Sequence, residues 1–307
     1  MGTDIHLEVE TRRDGLWHFV PHIERDCWSC ALTAERESKR VGKPVPVEFD
    51  KKCYWCRGTG KRKEQFFHDR NYSVFAILAS VRNGIGFAGV DTGDGFIPIA
   101  EPRGLPPDLS FELRRHLKRE EEGMEEDEKA TADMNDDEFA RDYISLGDHS
   151  QTWLLLSEVL ACDWNQTTKR RGWVDPNEYD NFRKHGQPNS WSGSVSGSMI
   201  EHVSNAFMAH MIDSGDIVFT GPEPEEGSFA GRAYTTAMSR GPLGQMLAAM
   251  PKGTAGRQIA EPTHYVTLVE WTVTYRESAQ HFLDIVEKDL VPLGPPTDTR
   301  LVFGFDS

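Results

Sequence analysis

The first strand is visible in the alternation of the chain. Ile5, Leu7 and Val9 fall on one side of an extended segment, and Asp4, His6 and Glu8 on the other. The run LWHFV follows TRRDG, so the first twenty residues predict a β-hairpin turning at Asp14-Gly15. The period then changes. In NYSVFAILASVRNG, residues Val74, Ile77, Leu78 and Val81 form one helical stripe, with a stop expected at Asn83-Gly84. Ser150 is expected to cap a helix over SQTWLLLSEVLAC, with Leu155, Leu156, Val159 and Leu160 inward. Ser198 is expected to cap another through about 213, carrying Ile200, Val203, Phe207 and Met211. Near the end, HYVTLVEWTVTY predicts a strand, a helix capped by Ser278 presents Phe282, Ile285 and Val286, and RLVFGFDS predicts a last strand. The terminal strands need tertiary partners. The fold class that follows is α+β, an antiparallel sheet formed by the terminal strands with helices on one face.

Two stretches break this pattern. Residues 21–66 have little apolar periodicity and many charges, including ERESKRVGK and KRKEQ, and predict an insertion. Residues 118–138 hold eleven acids against three bases, and 119–138 is expected to be an acidic linker or solvated helix end. The expected organisation is a core first part at 1–20 and 67–118, the insertion at 21–66, and the linker at 119–138. A core second part at 139–307 includes a Gly- and Pro-rich loop region at 214–262.

Charge and composition narrow the function. The formal charge is −15 and hydrophobic residues make up 38%, values of a globular acidic protein rather than a generally basic nucleic-acid binder. No run approaches a membrane span and MGTDIHLEVE is not a signal peptide, so a cytoplasmic setting with reduced cysteines is expected.

That setting gives the cysteines their meaning. DCWSC places Cys27 and Cys30 three apart, and CYWCRGTGK does the same for Cys53 and Cys56, with 22 residues between the pairs. Two such turns complete a tetrahedron of thiolates, so a closed structural Zn2+ site is expected. CYWCRGTG resembles the CxxCxGxG repeat in the zinc domain of J-domain co-chaperones over eight residues. A redox pair would require a lone CxxC opening a helix after a strand, a setting expected of neither pair. Cys162 reads as a small buried side chain in an apolar helix. The basic runs of this lobe are where a local nucleic-acid contact would be made, with a solvated charged face as the alternative.

The remaining candidates are polar residues at element ends. Asp4 and His6, with Asp148 and His149 at an expected helix start, form the candidate reactive centre. Arg82 and Arg103 would hold a phosphate or carboxylate, Trp153 would stack, and Arg70, Asn71, Asn83 and Glu101 complete the candidate ligand set. A second divalent metal would sit at His6, His149 and a carboxylate. The alternative for each is ordinary surface pairing.

At these residues the chain resembles a family of bacteriophage-encoded proteins that open M-G-[C/T]-D-I-H. The matching pieces are MGTDIH, RNYSVFAILASVRN, EPRGLPPDLS, DHSQTWL and LVFGFDS, with Ser80 and Gly304 departing from that pattern's Gly and Trp. The resemblance implies an accessory phage protein in the host cytoplasm and supplies no reaction. Three classes of function remain open. One is a hydrolase acting on a phosphate-bearing small molecule or nucleotide, and another a protein that sequesters such a nucleotide unchanged. The third is an acidic protein that binds a host protein through 119–138. SWSGSVSGS, expected to enter a helix, would cradle phosphate in the first two.

Overall fold

Alternation and cross-chain pairing build the first sheet. The computed structural model describes residues 3–121, 146–197, 200–215, 217–218, 238–239 and 264–306. Strands β1 (Ile5–Arg13) and β2 (Leu16–Val20) form the expected hairpin, turning through Asp14 and Gly15 at φ 52° and 81°. Positive φ at both positions suits a turn that follows strand twist. Strand β11 (Thr299–Phe305) pairs antiparallel with β1, from Ile5 opposite Phe305 to Thr11 opposite Thr299. Strand β5 (His149–Leu155) closes the order β2-β1-β11-β5. The fold is α+β, and this sheet is antiparallel throughout.

The chain divides into two compact units. One contains Met1–Val81, Ile97–Trp164 and Arg276–Ser307, and the other Arg82–Phe96 and Asn165–Tyr275. In the first, helix α2 (Tyr72–Ala79) is buried at nearly every position and packs Phe75 against Phe305 at 5.1 Å. Its Asn71 cap accepts from the backbone of Ser73 and Val74. The helix ends at Ser80, in the left-handed region, rather than at Asn83-Gly84. Helix α3 (Phe111–Glu121) covers the other face of the sheet, packing Leu113 and Leu117 with Val302.

That second face holds a buried ion network. Arg300, 2% exposed, donates to Glu10, which is fully buried, and to Asp108, each at 2.7 Å. Its guanidinium lies 4.0 Å over Trp17, and Glu10 also accepts from the Ser110 backbone at 2.8 Å. The outward face of β1 is therefore a second packed surface, with Glu8 buried as well.

The other unit is built on β6 (Thr167–Val174), β7 (Ile200–Val203) and β10 (His264–Thr274), in the order β6-β10-β7. Helices α5 (Pro176–His185) and α6 (Asn205–Asp213) supply Tyr179, Met208 and Met211 to a core with Val269 and Trp271. A further pair, β8 (Ile217–Val218) and β9 (Met238–Ser239), is antiparallel.

Three helical expectations change. SQTWLL is strand β5, and helix α4 (Leu156–Ala161) starts only after it. Ile200 and Val203 belong to β7, and the helix that follows is capped by Ser204, which accepts from Phe207; Ser198 lies outside the described residues. Helix α7 (Tyr275–Ile285) begins three residues before Ser278 and is interrupted at Ala279. Residues 122–145, which include 122–138 of the acidic segment, and most of 214–262 also lie outside them. Among the described residues, no helix is long and apolar enough to cross a membrane.

Candidate metal centre and the polar sheet end

A strand, a helix start and a tight turn bring the four cysteines together. Strand β3 (Ile23–Asp26) pairs antiparallel with β4 (Lys61–Glu64), with helix α1 (Trp28–Val41) between them. Cys27 is the N-cap of α1 and Cys30 lies in its first turn, where helix N–H groups favour thiolate charge. Cys53 and Cys56 sit on a turn closed by Arg57 N–H to Cys53 O at 2.8 Å and Thr59 N–H to Cys56 O at 2.8 Å. Arg57 and Gly58 both take positive φ to make it. The Cys27 N–H then donates to Gly60 O at 2.9 Å, tying the two halves.

The sulfur spacing could hold a metal ion. All four ligand atoms lie within 4.8 Å of one another, with Cys27 to Cys53 and Cys30 to Cys56 both at 3.7 Å. A tetrahedron with metal–sulfur bonds of about 2.3 Å has edges of about 3.8 Å. Disulfides, with sulfurs about 2.05 Å apart, are excluded at these distances, and all five cysteines are free. Cys27, Cys30 and Cys56 are buried.

The first pair does open a helix after a strand, contrary to the expectation from sequence. What separates it from a redox pair is the company it keeps. The 3.7 Å contacts run between the pairs, so neither CxxC stands alone.

Protonation follows the same geometry. The Cys53 thiol is lowered to about 6, first by the Cys56 backbone N–H and then by that of Trp55, against burial. Cys30 is pushed up to about 12; the Asp50 backbone N–H pulls it down, but burial and the neighbouring sulfurs outweigh it. Crowded thiols release one proton readily and hold others back. A dication among them removes that conflict.

The candidate reactive residues are distributed differently. His6 lies opposite Gly304, and His149 opposite Phe305, so neighbouring β11 positions send the two histidines to opposite sheet faces. His6 Nε2 meets Asp306 Oδ2 at 2.7 Å, while His149 stacks on Phe305 at 6.1 Å and meets Ser150 Oγ at 2.9 Å. Asp148 directly precedes β5, and His149 and Ser150 are its first residues, so these three open a strand and not the expected helix.

The other polar candidates already have structural duties. Arg70 grips Asp4 with two nitrogens. Arg103 is bidentate on Glu158, at 2.6 and 3.1 Å, and lies 5.2 Å over Trp153. The expected fork geometry is present, directed at a carboxylate of the same chain. Asn71 caps α2 and donates to Ser278 O at 2.9 Å. Glu101 is exposed on its loop. Arg82 and Asn83 belong to the other unit, where the Asn83 side chain braces both backbone groups of Phe96. SWSGSVSG precedes β7, so it offers no helix dipole to a phosphate. Cys162 is half-buried at the end of α4.

A feature missed in sequence is the exposure of Trp28, Tyr54 and Trp55. Their position next to the clustered cysteines was the available signal. Sulfurs turned inward leave their neighbours facing out. The chain matches no protein-family model, no curated protein and no solved structure.

Proposed function

We propose that the four cysteines bind one zinc ion of structural role, and that the protein acts as a binding module built around that lobe. One observation carries this: the buried centre of residues 21–66 consists of thiols at tetrahedral spacing. An ion held by Cys27, Cys30, Cys53 and Cys56 supplies the folding energy that this charged segment lacks. Four thiolates leave no open coordination position, which favours a structural role over Lewis-acid catalysis. Tetrahedral sulfur ligation suits zinc or iron, and a zinc ion needs no redox partner. The cytoplasmic setting implied by the resemblance to bacteriophage proteins would keep such thiols reduced.

A hydrolase acting on a phosphate-bearing substrate has less support. Its cations would have to leave Asp4 and Glu158, and its two histidines face apart. Elemental analysis of protein purified without chelators should return about one zinc per chain. Iron in its place, or no metal, would overturn the assignment. Nucleoside triphosphates incubated with the protein should be recovered unchanged.

A further inference from the structure

The zinc lobe displays aromatic rings where a folded domain would ordinarily bury them. Tyr54 is 79% exposed, Trp55 50% and Trp28 43%. The rings form one group, with Trp28 and Trp55 centroids 5.9 Å apart and Tyr54 edge-on to Trp55 at 5.2 Å. Each residue is adjacent in sequence to a ligand cysteine, so the metal centre fixes the backbone that presents it.

The charge around these rings runs against the rest of the chain. Residues 51–63, KKCYWCRGTGKRK, contain six Lys and Arg and no acid, in a protein of net charge −15. Lys61 is paired with Asp26 and Arg62 with Glu64. Lys51, Lys52, Arg57 and Lys63 make no ion pair among the described residues. Arg62 also lies 5.7 Å over the Trp28 ring, so a cation is already held against one aromatic face.

We infer that the surface of Trp28, Tyr54 and Trp55, with the exposed Lys51, Lys52 and Arg57 within three residues of those rings along the chain, binds single-stranded nucleic acid. This rests on the proposed zinc centre, which orders the surface. Two chemistries are required at once. Rings accept unstacked bases, and cations that are not spent on neighbouring carboxylates accept the phosphates. An apolar protein partner would use the rings and leave the cations unanswered. A paired duplex would use the cations and leave the rings unanswered. Separate occupation by either partner thus fits half of the surface.

The test uses the full chain in its zinc-bound form. Labelled oligo-dT and oligo-rU of twenty nucleotides are titrated at low ionic strength and followed by anisotropy, with metal content measured on each sample. Binding of either oligonucleotide is expected, weakening as salt rises. Trp55→Ala and Tyr54→Ala should each weaken it by about 5- to 150-fold with zinc retained, the range expected for removal of one base stack. Lys51→Ala with Lys52→Ala should also weaken it and flatten its salt dependence, by about 0.7 in the log–log slope for each phosphate that is no longer neutralised. Zinc-bound protein that binds neither strand overturns the inference and leaves the metal assignment standing. So would a preference for duplex, a preference for an acidic peptide, or affinity unchanged in the aromatic variants. Protein without zinc would fail at the earlier step, visible in the metal analysis before any oligonucleotide is added.

Discussion

The lobe of residues 21–66 and the sheet β2-β1-β11-β5 both contain antiparallel strands, but they bury different chemistry. The sheet closes over Phe75, Phe303, Phe305 and Leu154 on one side, and over Val302, Leu113 and Leu117 on the other. The lobe contributes few buried hydrophobic side chains besides its thiols, Ala34 and Phe66 among them. Burying each large apolar side chain contributes about 1.5–3 kcal/mol, so the sheet can be stable on area alone. The lobe cannot. It is joined to the unit's remainder by Arg25, which contacts both Glu64 and Asp289, and by Phe67 against Phe282. Hydrophobic burial tolerates the loss of one member. A four-ligand centre does not.

The largest expected effect follows from that contrast. Cys53→Ser, or removal of the proposed zinc by a strong chelator, should unfold residues 21–66 while the sheet persists. Structural zinc contributes about 10–16 kcal/mol in small zinc domains, far more than the lobe's apolar packing could replace. Hydrogen exchange should show amides of α1 and β4 losing protection while those of β1 and β11 keep it. Loss of protection in both regions together would show that the lobe and sheet fold as one cooperative unit.

Arg300 offers the converse. Arg300→Ala leaves Glu10 charged and buried, which costs about 3–5 kcal/mol, and should lower the urea midpoint without changing metal content. Adding Glu10→Leu should recover part of the loss, because the pair is coupled; strict additivity of the two changes would contradict the network. Gly304→Ala comes next. A Cβ there would collide with the Leu146 carbonyl, and neither backbone segment can yield like a side chain. A destabilisation of about 1–3 kcal/mol is expected, measured by the same denaturation. Gly304 is also where the chain departs from the Trp of the bacteriophage pattern it resembles.

The comparison also explains what could be read in advance. The hairpin was legible because Asp-Gly between alternating runs has few other solutions, and the cysteines because ligand spacing is local. The CxxC at a helix start was not legible, since β3 reads IERD and is recognisable only through its pairing with β4. SQTWLLLSEVLAC contains the continuous apolar run WLLL, which fits a buried strand or a helix equally. Its division into β5 and α4 is set by β11, whose Arg300 lies opposite Leu155. Glu10 continues the polar side of the alternation, and its burial is hidden because its partner Arg300 lies at the other end of the chain. Arg103 matched a phosphate fork for a related reason. Its two donors were evident, but Glu158, which takes them, is 55 residues away.

That last pair gives the smallest effect and a pH sign. Burial raises the Glu158 pKa, but the hydrogen bond from Arg103, then the Leu155 N–H, outweigh it and hold the carboxyl below its usual value. The unfolded chain therefore binds this proton more readily than the folded one. The stabilisation is fully present above the ordinary glutamate pKa of about 4.3, and is lost as pH falls through the lower folded value. Since both side chains are about a third exposed, at 32% and 31%, the pair is worth about 0.2–1 kcal/mol. Glu158→Gln should lower the melting temperature slightly at pH 7, with the difference from wild type shrinking as the pH drops below about 4.3. Arg103→Lys separates charge from geometry. A lysine keeps the charge but loses the two-donor fork and the broad contact with Trp153, so it should recover only part of the effect. A difference that stays constant from about pH 7 down to about pH 3 would mean that neither Arg103 nor the Leu155 N–H favours the ionised carboxyl in the folded chain, and would overturn the pairing.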